Sequence, residues 1–216
     1  YLLAGIGLYV VFSEALLRRN SDEPNWIKQG VFFQGAYSFV SLVPTAIATY
    51  ILTWLGWILG SGGYLRNWAA ENTSTGIFGF LPDWALSLWR YHEMIYGFHV
   101  NLTKEHPYEA HPLGWLIGLR PTAFFYESYP QGTNGCEISE GCSSAITALG
   151  NPFIWISSTA ALLYLIYRYV RHRERVIGLV LLGTASLYLP WVILSERTVF
   201  QFYVVSFQPW LILGLV

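Results

Sequence analysis

Long apolar runs, broken by two short basic stretches and one long mixed stretch, set the pattern of this 216-residue chain. A bilayer crossing takes roughly 20 apolar residues in a helix. Five segments meet that length or approach it: residues 1–17, 31–59, 151–167, 176–195, and a last one that starts at Thr198 and runs to residue 216. Arg18, Arg19 and Lys28 fall between the first two. Arg168, Arg171, Arg173 and Arg175 fall between the third and fourth. Clustered Arg and Lys in short loops mark the cytoplasmic side. Two spans separate the two basic loops, so both assignments agree. The pattern therefore predicts an all-α polytopic membrane protein in three parts. Residues 1–59 hold two spans with a cytoplasmic loop at 18–30, residues 60–150 form an extracytoplasmic loop, and residues 151–216 hold three spans.

The outer loop has a pattern of its own. In residues 81–100, LPDWALSLWRYHEMIYGFHV, the positions Trp84, Leu88, Tyr91, Ile95 and Phe98 recur at steps of three and four, which predicts an amphipathic helix. Pro82 and Asp83 suit its first turn. Such a helix lies on the outer membrane face or packs on the loop's own core; periodicity alone does not separate the two. Further on, NGCEISEGC places Cys136 and Cys142 six apart, and an extracytoplasmic setting permits a disulfide there. Asn72-Thr-Ser and Asn101-Leu-Thr match the glycosylation sequon, too common a tripeptide to carry weight.

Composition sharpens the class. Only 12% of residues are charged, against about 25% in soluble domains, and mean hydropathy is positive at +0.39. The net charge of −1 gives no field that would draw nucleic acid. Aromatic residues make up 18%, and Trp and Tyr favour the membrane–water boundary. The chain opens on Tyr1 in an apolar run and closes on one, and it reads as an internal piece of a longer membrane protein.

The candidate chemistry lies outside the spans. The five histidines, His92, His99, His106, His111 and His172, avoid the span centres, which argues against haem ligation. The His92-Glu93…His99 spacing is not that of a helical zinc site, and no metal site is expected. Neither a P-loop nor a strand-borne GxGxxG is present, so a donor held by a nucleotide fold is not expected. A lipid-linked donor would suit a site at the outer face. Apart from Glu14 near the end of the first run, the spans carry no charge, so no buried charge marks a transport path. Arg197, in the turn between the last two spans, could pair with a phosphate or simply snorkel. Asn151 could cap the helix behind it, with Pro152 in that helix's first turn.

Four stretches together bring a family into view. HPYEAHPLGW (106–115) resembles the HxYxSxPxxW-type motif of the protein O-mannosyltransferases, with Ala110 where a serine is common and His111 before the proline. YILTWLGWILGSGGYLRNWA (50–69), GNPFIW (150–155) and LPWVILSERTVFQFY (189–203) continue the likeness in order. The resemblance covers roughly residues 29–216 and is nearest to bacterial members. It implies a GT-C-type helical bundle in the plasma membrane. It also implies transfer of mannose from polyprenyl-phosphate-mannose to Ser or Thr hydroxyls of exported proteins, by inverting displacement. It implies no nucleotide or organic cofactor, leaves a divalent ion open, and suggests association with the secretion machinery.

Carried onto this chain, the resemblance implies that Arg197 meets the lipid phosphate. His106, Tyr108, His111 and Trp115 would line the pocket, the histidines and Tyr108 bonding to hydroxyls or phosphate and Trp115 offering a stacking face. Arg120, Asn151, Gln201 and Tyr203 follow as further donor- or acceptor-binding candidates. The family's acidic pair lies in its first outer loop. Asp22-Glu23 is adjacent acid, but it sits in the loop read as cytoplasmic, so the general base is expected upstream of Tyr1. Two other readings stay open: a non-catalytic escort subunit of the same fold, and a transferase of the same architecture with a lipid or glycan acceptor.

Overall fold

The computed structural model describes residues 1–72 and 79–216. The Asn72-Thr-Ser sequon runs into residues outside that description. Two compact units emerge, Tyr1–Tyr9 with Thr103–Val216, and Val10–Leu102.

In the Val10–Leu102 unit, the later turns of α1 (Leu2–Asn20) end in Arg18, which pairs with Glu14 at 2.8 Å and Glu23 at 3.0 Å. A π-helical turn, Lys28–Phe33, then leads into α2 (Gln34–Thr53). Gly30 in that turn lies so close to α1 that a Cβ there would sit 2.6 Å from the Ala15 Cα. The continuous helical run Lys28–Thr53 is long and apolar enough to cross a membrane. It breaks at Trp54, short of the expected residue 59, and α3 (Leu55–Leu59) and α4 (Trp68–Glu71) follow.

The amphipathic segment forms α5 (Asp83–Val100). Its stripe is used unevenly. Ser87 and Leu88 are buried, and the Ser87 hydroxyl accepts from the Ala69 amide at 3.0 Å. Tyr91 and His92 pack edge-on against Trp54, Trp57 and Tyr50. Ile95 and Phe98, on the same stripe, are exposed. The first half of α5 thus packs on neighbouring elements, and the second half keeps an open apolar face.

The other unit is built on α6 (Pro152–His172), α7 (Arg175–Ile193) and α8 (Gln208–Leu215). Two residues, Arg173 and Glu174, join α6 to α7, and α8 packs against both helices. The close approach has a sequence cause: a Cβ at Gly183 would lie 2.2 Å from the Trp210 ring, and small residues let helices meet closely. Both α6 and α7 are long and apolar enough to cross a membrane, and only 11% of the α6 window is buried. Such an apolar exposed surface fits a hydrocarbon surrounding. The last segment differs from the expected helix from Thr198. It runs irregularly to Phe200, makes a 3-10 turn at Gln201–Ser206, and becomes α-helical at Gln208. Pro209 suits this start, in the first turn of α8.

The all-α expectation needs one correction. β1 (Ala123–Tyr129) and β2 (Cys142–Thr147) pair antiparallel as a hairpin. AFFYESY is rich in aromatics that favour strands, and Cys136 is disulfide-bonded to Cys142 across the turn region. The Tyr129 hydroxyl donates to Glu127 at 2.6 Å, and that carboxylate raises the phenol above its ordinary pKa.

Candidate functional site

The knot HPYEAHPLGW is seated at the end of the unit where α6 begins and α7 ends. Its two prolines forbid a regular helix, so its carbonyls need partners from elsewhere. They find them in side chains of the two helices. The Pro112 carbonyl accepts from the Tyr188 hydroxyl at 3.0 Å, the Trp115 carbonyl from Trp155 Nε1 at 2.8 Å, and the Leu116 carbonyl from the Thr159 hydroxyl. The Ala110 amide donates to the Val199 carbonyl at 2.9 Å. The Thr198 hydroxyl donates to the Lys104 carbonyl. The Ala110 methyl is buried, leaving no room for the serine hydroxyl common there without repacking.

This docking creates a cavity of about 280 Å³ between the knot and the turn after α7. Arg197 lines it with His111, Glu109, Glu196 and Thr198. The Arg197 guanidinium sits 5.5 Å above the Trp191 ring. None of the ion pairs among the described residues involves Arg197, and its buried Nε has no hydrogen-bond partner. Trp191 is itself stacked on Tyr203 at 4.7 Å, and Trp115 backs both rings. A planar cation held over an indole, without an ion pair among the described residues, is an arrangement suited to a bidentate oxyanion.

The histidines are oriented by the knot's own backbone. His111 caps the 3-10 turn Pro112–Ile117, its Nδ1 accepting from the Leu113 amide at 3.3 Å. His106 Nδ1 accepts from the Tyr108 amide at 3.2 Å, and its ring meets Phe200 edge-on at 5.1 Å. In each neutral ring the proton then sits on Nε2, which remains a free donor. The structure brings His111 and Arg197 into one cavity. His106 and Tyr108 lie outside its lining.

Other expected residues take different places. Trp115 is completely buried, with its Nε1 donating to the Ala110 carbonyl at 2.8 Å, so it supports the site and offers no open stacking face. Arg120 donates to the Pro107 carbonyl at 3.0 Å and braces the knot. Asn151 caps α6, accepting from the Phe153 and Ile154 amides at 3.0 and 3.3 Å. Gln201 lines a separate cavity of about 250 Å³. Glu23 is engaged with Arg18. A further cavity of about 460 Å³ lies along the β-hairpin and is lined by none of the predicted binding residues. The reading from sequence missed Trp191, Glu109 and Glu196. Trp191 stood in the stretch LPWVILSERTVFQFY, one helical turn and a half before Arg197, but only the fold puts the ring under the cation.

Comparison with known proteins identifies the family of the chain. A family model described as the C-terminal four-transmembrane region of protein O-mannosyltransferase matches residues 84–215. A polyprenol-phosphate-mannose–protein mannosyltransferase of Mycolicibacterium smegmatis is 27% identical over 224 residues, covering 100% of this chain and 42% of that protein. A protein of the same name from Corynebacterium glutamicum is 25% identical with the same coverage. One from Mycobacterium tuberculosis is 28% identical over 180 residues, 82% of this chain and 34% of its own length. The chain thus spans well under half of the relatives it matches. No solved structure matches it. With more than half of its length matched by the family model, including the knot, Trp191 and Arg197, the chain belongs to the protein O-mannosyltransferase family, in the C-terminal membrane region.

Proposed function

We propose that this chain supplies the lipid-phosphate site of a transferase that moves mannose from polyprenyl-phosphate-mannose to Ser or Thr hydroxyls of exported proteins. The observation that carries the reading is the Arg197 guanidinium, unpaired and laid on Trp191 at the wall of a cavity of about 280 Å³. The donor's phosphate accepts from Arg197, while Glu109 and Glu196 accept from sugar hydroxyls and His111 donates to them. The architecture is of the GT-C type, and the site faces the outside of the plasma membrane. Support for that side comes from charge: Arg171 and Arg175 sit at the far ends of α6 and α7, roughly 30 Å away for a 21-residue helix.

The reaction is a direct displacement. The acceptor oxygen bonds to the anomeric carbon as the bond to the phosphate oxygen breaks, and the lipid phosphate leaves with the electron pair. A carboxylate takes the hydroxyl proton; the Asp22-Glu23 pair is not that group in this reading, because Glu23 is held by Arg18 in a basic turn. Arg197 stabilises the charge that grows on the leaving phosphate. No nucleotide or organic cofactor enters the step. The test is made on the full-length protein in nanodiscs, with polyprenyl-phosphate-mannose as donor and a Ser/Thr peptide, a glycan and a lipid alcohol as competing acceptors. The reading expects mannosyl peptide with inverted anomeric configuration. Transfer only to glycan or lipid would favour the other transferase reading, and no transfer at all the escort reading.

A further inference from the structure

We infer that the second cavity at this end of the unit is a subsite for the backbone of the acceptor polypeptide, anchored by the Gln201 carboxamide; the inference rests on the transferase reading above. The cavity of about 250 Å³ is lined by Ala148, Leu149 and Gly150 where β2 runs out, by Trp155 of α6, and by Gln201 and Val205 of the second 3-10 turn. Its walls are mostly apolar. Gln201 is only 3% exposed, yet its side chain makes no hydrogen bond to the described residues. Neither amide atom of Gln201 is among the fully enclosed, unpartnered side-chain atoms, so the little surface this residue keeps leaves its carboxamide open to a ligand that lies in the cavity.

The chemistry selects the ligand. A polyprenyl chain has neither donor nor acceptor and would leave the carboxamide unpaired. A peptide unit offers one N–H and one C=O, the complement of the carboxamide oxygen and NH₂. The route in is also that of a peptide. The sheet has two strands among the described residues, so β2 keeps a free edge that leads into the cavity through Thr147 and Ala148, and an extended segment can add along it. Arg197 lines the first cavity and Gln201 the second, four residues on. Four residues span at most about 14 Å. An acceptor anchored at Gln201 therefore needs no more than about four extended residues to cover that backbone span toward the phosphate site.

The test reads peptide binding without turnover. A fluorescein-labelled Ser/Thr peptide is titrated against the full-length protein in nanodiscs by fluorescence polarisation, with no donor present. Donor affinity is measured separately with polyprenyl-phosphate-mannose. Gln201→Leu is expected to weaken the peptide about tenfold, equivalent to about 1.4 kcal/mol, and to leave donor affinity unchanged. Val205→Trp, at a position 68% exposed, fills the cavity mouth without disturbing the core and should do the same. Single backbone N-methylations along the peptide should include one position that weakens binding to the wild type and has no further effect on Gln201→Leu, the coupling expected of a direct contact. Wild-type peptide affinity in both variants overturns the subsite. Loss of donor affinity in place of peptide affinity overturns it too, and assigns the cavity to the lipid chain. Because no mannose moves in this experiment, an inactive wild type that still binds peptide through Gln201 would sink the transferase reading alone.

Discussion

A guanidinium that lies on an indole keeps its orientation without a carboxylate to neutralise it. That is the state of Arg197 over Trp191, and it makes Trp191 a positioning residue in the proposed phosphate site. Cation–π contacts are worth about 0.5–2 kcal/mol. Trp191→Leu should therefore raise the donor KM by roughly tenfold, leave the peptide KM in place, and be largely rescued by Trp191→Phe; steady-state kinetics with each substrate varied checks this. His111 allows a second separation. Its Nδ1 caps a 3-10 turn, and the residue lines the cavity. Asn also caps well, so His111→Asn should keep thermal stability and weaken the donor. His111→Ala should do both harms, losing about 1 kcal/mol of stability. At this scale the sequence pointed to Arg197 and His111 by residue type, and the fold brings the two into one cavity. It was silent on Trp191 and misleading on Trp115, because an indole gives no sign in sequence of which neighbour its faces will meet.

Among the elements, the helices were legible and the hairpin was not. The runs at 31–59, 151–167 and 176–195 and the stripe of α5 have the length and period that specify helices. β1 and β2 are six or seven residues long and exposed on both faces, so they lack the half-buried alternation by which a strand is read. The late start of α8 was hidden by a stretch from Val199 to Val205 that is apolar or aromatic except at Gln201, a pattern that does not distinguish a 3-10 turn from the first turn of a span. The seam between α7 and α8 is specified by Gly183. Gly183→Ala would press a methyl into Trp210, and overpacking of this kind costs about 1–3 kcal/mol. Unfolding of the purified protein in mixed micelles should show that loss, and Gly183→Ala combined with Trp210→Leu should recover most of it.

For the whole molecule, the positive residues at one end of α6 and α7 and the cavities at the other define two faces. The proposed orientation predicts that a cysteine at Leu113, 64% exposed beside His111, reacts with a membrane-impermeant maleimide added to intact cells. A cysteine at Arg171 should react only after permeabilisation. The reverse pattern would put the site on the wrong side for exported acceptors. Family membership was legible because four short stretches keep their order along the chain; each is weak alone, and their order is what chance does not reproduce. The proton acceptor was not legible at all, since no carboxylate near Arg197 carries the context of the family's acidic pair.

The account turns on whether Arg197 holds the donor's phosphate. The most direct measurement is the kcat/KM for polyprenyl-phosphate-mannose of the full-length protein, as wild type, Arg197→Lys and Arg197→Ala, at saturating Ser/Thr peptide. Loss of a donor to developing charge typically costs on the order of 10²–10³ in rate. Arg197→Ala should fall by about that factor, with Arg197→Lys between it and wild type because a point charge replaces the planar fork. Wild-type kcat/KM in Arg197→Ala would contradict the account.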